Sequence, residues 1–312
     1  MATPLDPDLI HRRLAWPEGR VDAVFDTDAY NEIDDQFALV HALLAPERIA
    51  LEAVYAAPFH NKRSTGPADG MRKSLDEIHT ILALTDRQSL PALAGSERWL
   101  TRPEDSVVSA ARDDLITRAR SRDEASPLYV IAIGACTNVA AALTAAPDIR
   151  DKIVVLWLGG QPLHSALAHE FNLAGDAVAT RCLLDSGVPL ILFPCRQVAQ
   201  LLQTTLAELE RHLEPTGTIG RYLTGIFRDY EGYDLTAAGA AKVIWDIAPV
   251  AWLLDQAWIT TALTTSPVLA EDWTWQRPPE RHHIRIAEQV ERNAIFADLF
   301  NRIAQADERE SG

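Results

Sequence analysis

The chain is short of the features that mark several protein classes. It has three cysteines, Cys136, Cys182 and Cys195, an odd number with no Cys-x-x-Cys spacing. That argues against a disulfide framework and against a cysteine-held zinc site. Positive charge is scarce: 29 Lys and Arg stand against 44 Asp and Glu, for a net charge of −15 over 312 residues. Neither a nucleic-acid backbone nor an anionic membrane is therefore expected as a main partner. No apolar run approaches the length of a membrane span, and the opening MATPLDPDLIHRRLAWPEG lacks the uninterrupted apolar stretch of a signal peptide. A reducing, cytoplasmic setting is expected. Internal repeats, low-complexity linkers and sharp composition shifts are missing too, which favours one compact domain over residues 1–312.

What is present is ordinary globular material, 47% apolar and 23% charged, enough for a large core. Strand-like runs over 21–28, 49–57, 127–134, 152–160 and 188–194 alternate with helical patterns at DDQFALVHALLAP, 70–84, TNVAAALTAAP and 176–187. Near-continuous Val/Ile/Leu runs suit strands buried on both faces, and their alternation with helices predicts a parallel sheet. The fold class read from this is α/β: a single domain with an open, mostly parallel, Rossmann-like sheet flanked by helices. The stretch 196–256 reads as mainly helical with a loop at 229–234. One or two edge strands follow in 258–276, where Trp273 and Trp275 alternate with polar residues like a strand face. A helix over NAIFADLFNRIAQA closes the chain.

One segment breaks the ordinary pattern. VFDTDAYNEIDDQFALV (24–40) packs Asp26, Asp28, Glu32, Asp34 and Asp35 into ten positions at a strand-to-helix junction. Capping of the helix N-terminus explains one or two of them, but not Asp26 and Asp28 as well. Ligands of open α/β sheets sit outside the carboxyl ends of the strands, and converging carboxylates suit a hard cation. A carboxylate beside such a cation stays ionised and can take a proton from water. Three further places are candidate partners: AIGACTNVAAAL, with a helix opening at Thr137; HEFNLAGD, with Glu170 and Asn172 in a polar loop; and KVIWDIAPVAWLLD, with Asp246 in an apolar run, where helix capping would serve equally well as an explanation.

Taken in order, these pieces resemble the nucleoside hydrolase superfamily of the inosine/uridine-preferring type. That family shows a DTD…DD segment (here Asp26, Thr27, Asp28, Asp34, Asp35), then GxxTN (Gly134, Thr137, Asn138), GG (Gly159, Gly160), EFN (Glu170, Phe171, Asn172) and a late Asp (Asp246). The resemblance implies Ca²⁺-dependent hydrolysis of a ribonucleoside to base and ribose, by a homodimer or homotetramer. It implies Asp28, Asp35, Asp246 and the Thr137 carbonyl as metal ligands, with Asp28 also the base. Ribose hydroxyls would fall to Asp34, Glu170 and Asn172, with Asn61 a further helper. The chemistry fits these residue types: breaking the C1′–N bond builds oxocarbenium character, which carboxylates stabilise.

Two departures stand out. Five residues, AYNEI, separate Asp28 from Asp34 where the family has three, so Asn31 and Glu32 are extra. Trp245 occupies the position before the late Asp where many members carry a His that protonates the leaving base. The purine-preferring branch is similar to this chain there, which implies stacking on a purine base; ordinary core packing is the plain alternative for Trp245. His60, His164 and His169 lie in predicted loops at strand ends and are other leaving-group acids to consider. Two rival readings remain at this level. FDTDAYN resembles a haloacid-dehalogenase-like phosphatase motif, although Tyr30 stands where that family has Thr or Val. A nucleoside- or ribose-binding protein without turnover is the other.

Overall fold

The computed structural model describes residues 5–311, and side chains to residue 308. Its centre is an eight-stranded sheet: β1 (Val21–Thr27), β2 (Ile49–Ala56), β3 (Ala92–Ala94), β4 (Leu128–Ala132), β5 (Ile153–Leu158), β6 (Leu190–Phe193), then β9 (Ile259–Thr265) and β12 (His283–Val290), in the order β3-β2-β1-β4-β5-β6-β12-β9. Every neighbouring pair is parallel except β9 with β12. β1 lies between β2 and β4, with Asp26 opposite Tyr55 and Ala132. The sequence order of the strands turns back at β1, so β1 and β4 run on opposite sides of the switch point where such sheets bind ligands.

Helices cover both faces. They are α1 (Pro7–Leu14), α2 (Asp34–Leu43), α3 (Pro67–Leu84), α4 (Ala110–Arg120), α5 (Thr137–Ala145), α6 (Phe171–Gly175), α7 (Ala177–Asp185), α8 (Leu206–His212), α9 (Gly217–Arg228), α10 (Ile247–Leu254) and α11 (Arg292–Ser311). Two apolar clusters form, one on each side of the sheet: Phe25, Phe37, Leu156 and Trp252 belong to one, and Val24, Tyr55, Trp157 and Leu192 to the other. All ten residues of α2 and all eight of α10 are buried. Burying a Leu, Ile or Val is worth about 1.5–3 kcal/mol, so both helices are held firmly enough to fix the polar side chains at their first turns.

The parallel sheet and helix pattern agree with the sequence reading, and four details differ. β12 was hidden because His283, Arg285 and Glu288 interrupt its apolar residues; only the alternation of buried Ile284 and Ile286 betrays it. α4 buries just Ala111, Leu115 and Ala119 along one stripe, a weak signal. The stretch 196–256 is less helical than its composition implies: β7 (Gln203–Thr204) and β8 (Lys242–Val243) pair antiparallel across it. Trp275 lies in β11 (Trp275–Gln276), which pairs with β10 (Val268–Leu269), but Trp273 sits in a turn at φ +66° rather than on a strand face.

Candidate active site

The site grows from the carboxyl end of β1. Asp26 is fully buried, and its Oδ1 accepts from Asn138 Nδ2 at 2.7 Å. The same amide donates to the Ala56 carbonyl and accepts from the Ser96 N–H. Asn138 thus ties together the ends of β1 and β2 and the loop after β3, and Asp26 is part of that clamp. Burial pushes the Asp26 carboxyl up to about 7, against the pull of Asn138.

Asp28, one residue beyond β1, is different. It is buried, and neither carboxylate oxygen has a hydrogen-bond partner. Its wall is the β4–α5 turn, where a Cβ added to Gly134 would stand 2.9 Å from Asp28 Oδ1; glycine there lets the backbone close on the acid. Asp34 and Asp35 open α2, and Asp246 immediately precedes α10. The three bring one oxygen each within 4.8 Å of one another. Asp246 occupies the cap position of α10, yet its side chain makes no cap hydrogen bond. It is aimed into the acid cluster, which decides against the plain capping explanation. Asp35 accepts from Thr27 Oγ1 at 2.5 Å and shares a hydrogen bond with Asp246. Asp34 accepts from the Trp245 backbone N–H at 3.0 Å.

Electrostatics follow from this crowding. Burial, then the charges of Asp35 and Asp34, holds the Asp28 carboxyl well above the usual range. Burial, with Asp34 alongside, raises Asp35 to about 8. Burial raises Asp34 to about 6 even though Lys242 pulls it down, and burial with Asp34 and Asp35 raises Asp246 strongly. An uncompensated buried ion costs several kcal/mol, so four such acids need either protons or a cation. The clustered donors of Asp34, Asp35 and Asp246 are all oxygen, and the partnerless Asp28 carboxylate adds its charge to theirs; this fits a hard divalent ion.

The two extra loop residues are accounted for. Glu32 pairs with buried Lys242, whose ammonium also lies 4.6 Å from the Tyr230 ring centre. Burial works against the Lys242 charge, but Asp34 and Glu32 outweigh it and keep the ammonium protonated. Asn31 accepts from Asn61 Nδ2 through its backbone carbonyl and its side chain, at 3.1 and 2.6 Å. Asn61 therefore braces the loop, and it is not among the residues that line the cavity.

The cavity is about 270 Å³, bounded by Asn31, Glu32, Asp34, Glu170, Asn172 and Trp245 among others. Glu170 caps α6: Oε1 accepts from the Asn172 N–H, and Oε2 from the Gly160 and Leu173 N–H groups. Gly160 adopts φ +71° to present its N–H. The Asn172 amide donates to the Ile133 and Leu158 carbonyls, which locks its orientation between β4 and β5. Trp245 is half-buried and lines the cavity, so it is not simply core. Thr137 opens α5 with its hydroxyl on Asp176. His60, His164 and His169 are exposed and none lines the cavity. Sequence reasoning missed Lys242, Gln161 and Arg196. Arg196 had a usable signal, since it lies just past the carboxyl end of β6; Lys242 had none in its apolar surroundings.

Fold and site together define an α/β protein with a mostly parallel central sheet, whose polar centre is built from oxygen donors at the strand ends. The chain belongs to the inosine-uridine preferring nucleoside hydrolase family, whose model matches residues 23–297, and so to the hydrolases that act on N-glycosyl bonds. That span leaves no room for the phosphatase reading. A pyrimidine-specific ribonucleoside hydrolase, RihA of Salmonella paratyphi B, is 26% identical over 254 residues, covering 73% of this chain and 78% of that protein. A purine-preferring ribonucleoside hydrolase from Gardnerella vaginalis matches in fold with a TM-score of 0.74, at 18% identity over 92% of this chain and 99% of its own. The plant nucleoside hydrolase PpNRh1 matches with a TM-score of 0.71 at 19% identity, over 91% and 99%.

Proposed function

We propose that the chain hydrolyses the N-glycosidic bond of a ribonucleoside to free base and ribose with a bound Ca²⁺, and that purines are somewhat favoured. The observation that carries this reading is the pair of partnerless, buried oxygens of Asp28 beside the Asp34–Asp35–Asp246 cluster. Asp28, Asp35 and Asp246, with the Thr137 carbonyl, would hold the ion; the oxygen-only donor set fits calcium. When bound, such an ion supplies positive charge that keeps its carboxylates ionised and makes a nearby water more acidic.

The residues then divide the work. Asp28 takes the proton of the attacking water as its oxygen adds to C1′. The C1′–N bond breaks, its electron pair stays on the base nitrogen, and the base takes up a proton from solvent. The surrounding carboxylates stabilise the oxocarbenium charge that develops on the sugar. Asp34, Glu170 and Asn172 hold ribose hydroxyls, and their backbone-locked orientations supply positioning; Asn61 acts one step away by bracing Asn31. Trp245 stacks on the base, the basis for favouring purines, and the relatives' printed preferences divide between pyrimidine and purine.

The family match over 23–297 supports reading residues 1–312 as one nucleoside-hydrolase domain. We further infer a cytoplasmic homodimer or homotetramer with no nucleic-acid or membrane partner. The net charge of −15 speaks against a nucleic-acid or anionic-membrane partner, no helix among the described residues is long and apolar enough to cross a membrane, and the assembly is inferred from the family resemblance alone. The test is base and ribose release from a panel of purine and pyrimidine nucleosides, with Ca²⁺ and with chelator. Calcium-dependent release, faster for purines, is expected; chelator-insensitive release would remove the ion from the mechanism, and faster pyrimidine release would remove the purine preference.

A further inference from the structure

The lengthened loop brings to the cavity one side chain that the mechanism so far leaves idle. Asn31 lines the cavity and is only 9% exposed. Its backbone is pinned, since the Asn31 N–H donates to the Asp28 carbonyl at 2.7 Å. Its amide is pinned too, and the neighbours decide which way round. Asn61 Oδ1 accepts from the Arg63 N–H at 2.8 Å, which turns Asn61 Nδ2 toward Asn31. Only the oxygen end of the Asn31 amide can meet that donor, and it does so at 2.6 Å. Asn31 Nδ2 therefore points away from Asn61, and its two N–H groups have no partner among the described residues. The atom is not sealed off: the buried partnerless side-chain atoms lie elsewhere, and the open side of Asn31 is the cavity. The other buried polar groups there are acceptors or are already used. Asp34, Glu170 and Asp246 are carboxylates. Asn172 gives its N–H groups to the Ile133 and Leu158 carbonyls, which leaves its oxygen. Gln161 accepts from the Arg196 N–H and donates to the His169 carbonyl. The Arg196 side chain, also on the cavity wall, is exposed.

We propose that Asn31 binds the leaving base: its Nδ2 donates to a ring nitrogen or carbonyl oxygen of the base and steadies the electron pair that the base carries away. The inference rests on the N-riboside hydrolase reading. Two matches carry it. The first is between donors and acceptors. Ribose hydroxyls can donate, so they suit the carboxylates and the Asn172 oxygen. The ring nitrogens and carbonyl oxygens of a base accept, and Asn31 is the buried group with donors to spare. The second match is chemical. When the C1′–N bond breaks, its electron pair stays on the base and spreads onto those same acceptor atoms. A fixed donor there meets charge as it develops, as a donor of an oxyanion hole does. No proton leaves the amide; the base takes its proton from solvent. No histidine among the described residues lines the cavity, and Asn31 supplies part of the help that such an acid would give.

The test puts two leaving groups on the same sugar and uses the calcium-loaded enzyme. Inosine has a base that leaves with difficulty; 4-nitrophenyl β-D-ribofuranoside has a phenolate that is stable without help and carries no ring acceptor. Asn31→Asp keeps an oxygen toward Asn61 and removes the donors; Asn31→Ala removes both. In both variants kcat/KM for inosine is expected to fall by about 10²-fold, as when one donor on a developing charge is lost. For the nitrophenyl riboside it is expected to change by less than about threefold. Equal losses with the two substrates overturn the proposal, because a residue that only shapes the loop or places the ribose would slow both. So does wild-type cleavage of inosine in both variants, and so does a loss confined to Asn31→Asp, which would be the work of the added charge. A binding arm separates this inference from the hydrolase reading. Calorimetry should show free hypoxanthine held about 5- to 10-fold more weakly by Asn31→Ala than by the wild type, with ribose held equally. That pattern with no substrate cleaved supports the Asn31 contact and sinks the hydrolase. Cleavage of both substrates, with hypoxanthine held equally by the two proteins, keeps the hydrolase and sinks the Asn31 contact.

Discussion

Two buried acids, Asp176 and Asp28, flank the carboxyl ends of the central strands and could hardly be treated more differently. Asp176 caps α7: one oxygen accepts from the Ala179 N–H, the other from the Leu100 N–H and the Thr137 hydroxyl, all at 2.9 Å. Asp28 has nothing on either oxygen. Both are almost fully buried, so burial cannot tell them apart; what differs is whether the fold supplies donors. Where it does, the acid organises structure. Where it withholds them, the acid is open to the cation we propose. Glu170 stands between the two, satisfied by three backbone donors yet lining the cavity.

The comparison sharpens under mutation. Asp28→Ala should cost the largest effect, about 10³-fold or more in kcat, in keeping with loss of a positioned base, while circular dichroism shows the fold intact. Asp35→Asn and Asp246→Asn should weaken calcium binding by about 10–100-fold, read by calorimetry, as expected when an anchoring charge is lost from an oxygen site. Asp176→Ala should do the reverse of Asp28→Ala. It strands two backbone donors and a hydroxyl, so stability should drop by about 1–3 kcal/mol in urea melts, with cation affinity kept. A loss of activity in Asp176→Ala without loss of stability would break the contrast. Trp245→Ala should raise KM for purine nucleosides by about 2- to 10-fold, the equivalent of about 0.5–1.5 kcal/mol of lost stacking, and for pyrimidines less.

The smallest effect is in pH. Asp34 and Asp35 titrate near 6 and 8 when folded without a cation, above their ordinary value near 4 in the unfolded chain. The unfolded state therefore loses these protons first, and the folded state is favoured while they remain bound. Stability of the metal-free protein is full below about pH 4 and falls as pH rises through 6 and then 8. Melting temperature should fall by about 2 °C or more between pH 5.5 and 8.5. Asp35→Asn should flatten the slope, and added calcium should reverse it. A metal-free protein that gains stability over that range would contradict the charge-crowding account.

Much of this was readable from residues alone, and the reasons are specific. The parallel strands announced themselves because β4, β5 and β6 are buried on both faces, leaving unbroken apolar runs. The acid cluster was readable because Asp28 and Asp34–Asp35 flank one turn and cannot all be caps. The role of Asp246 was not decided by sequence, since a capping Asp and a ligand Asp occupy the same helix position; only the direction of its side chain separates them. The bracing of Asn31 by Asn61 could not be foreseen, because Asn31 belongs to the loop lengthened in this chain. β12 escaped because its polar residues mask a two-residue alternation. Lys242 could not be found from its neighbours, since the acids that keep it charged lie more than 200 positions away.

The most direct measurement is a calcium titration of the metal-free enzyme in which binding and N-riboside cleavage are followed in the same samples. The account predicts one site whose occupancy curve coincides with the rate curve, and no turnover in Asp28→Ala at full occupancy. Cleavage that proceeds at the same rate with and without calcium, or that survives in Asp28→Ala, would contradict it.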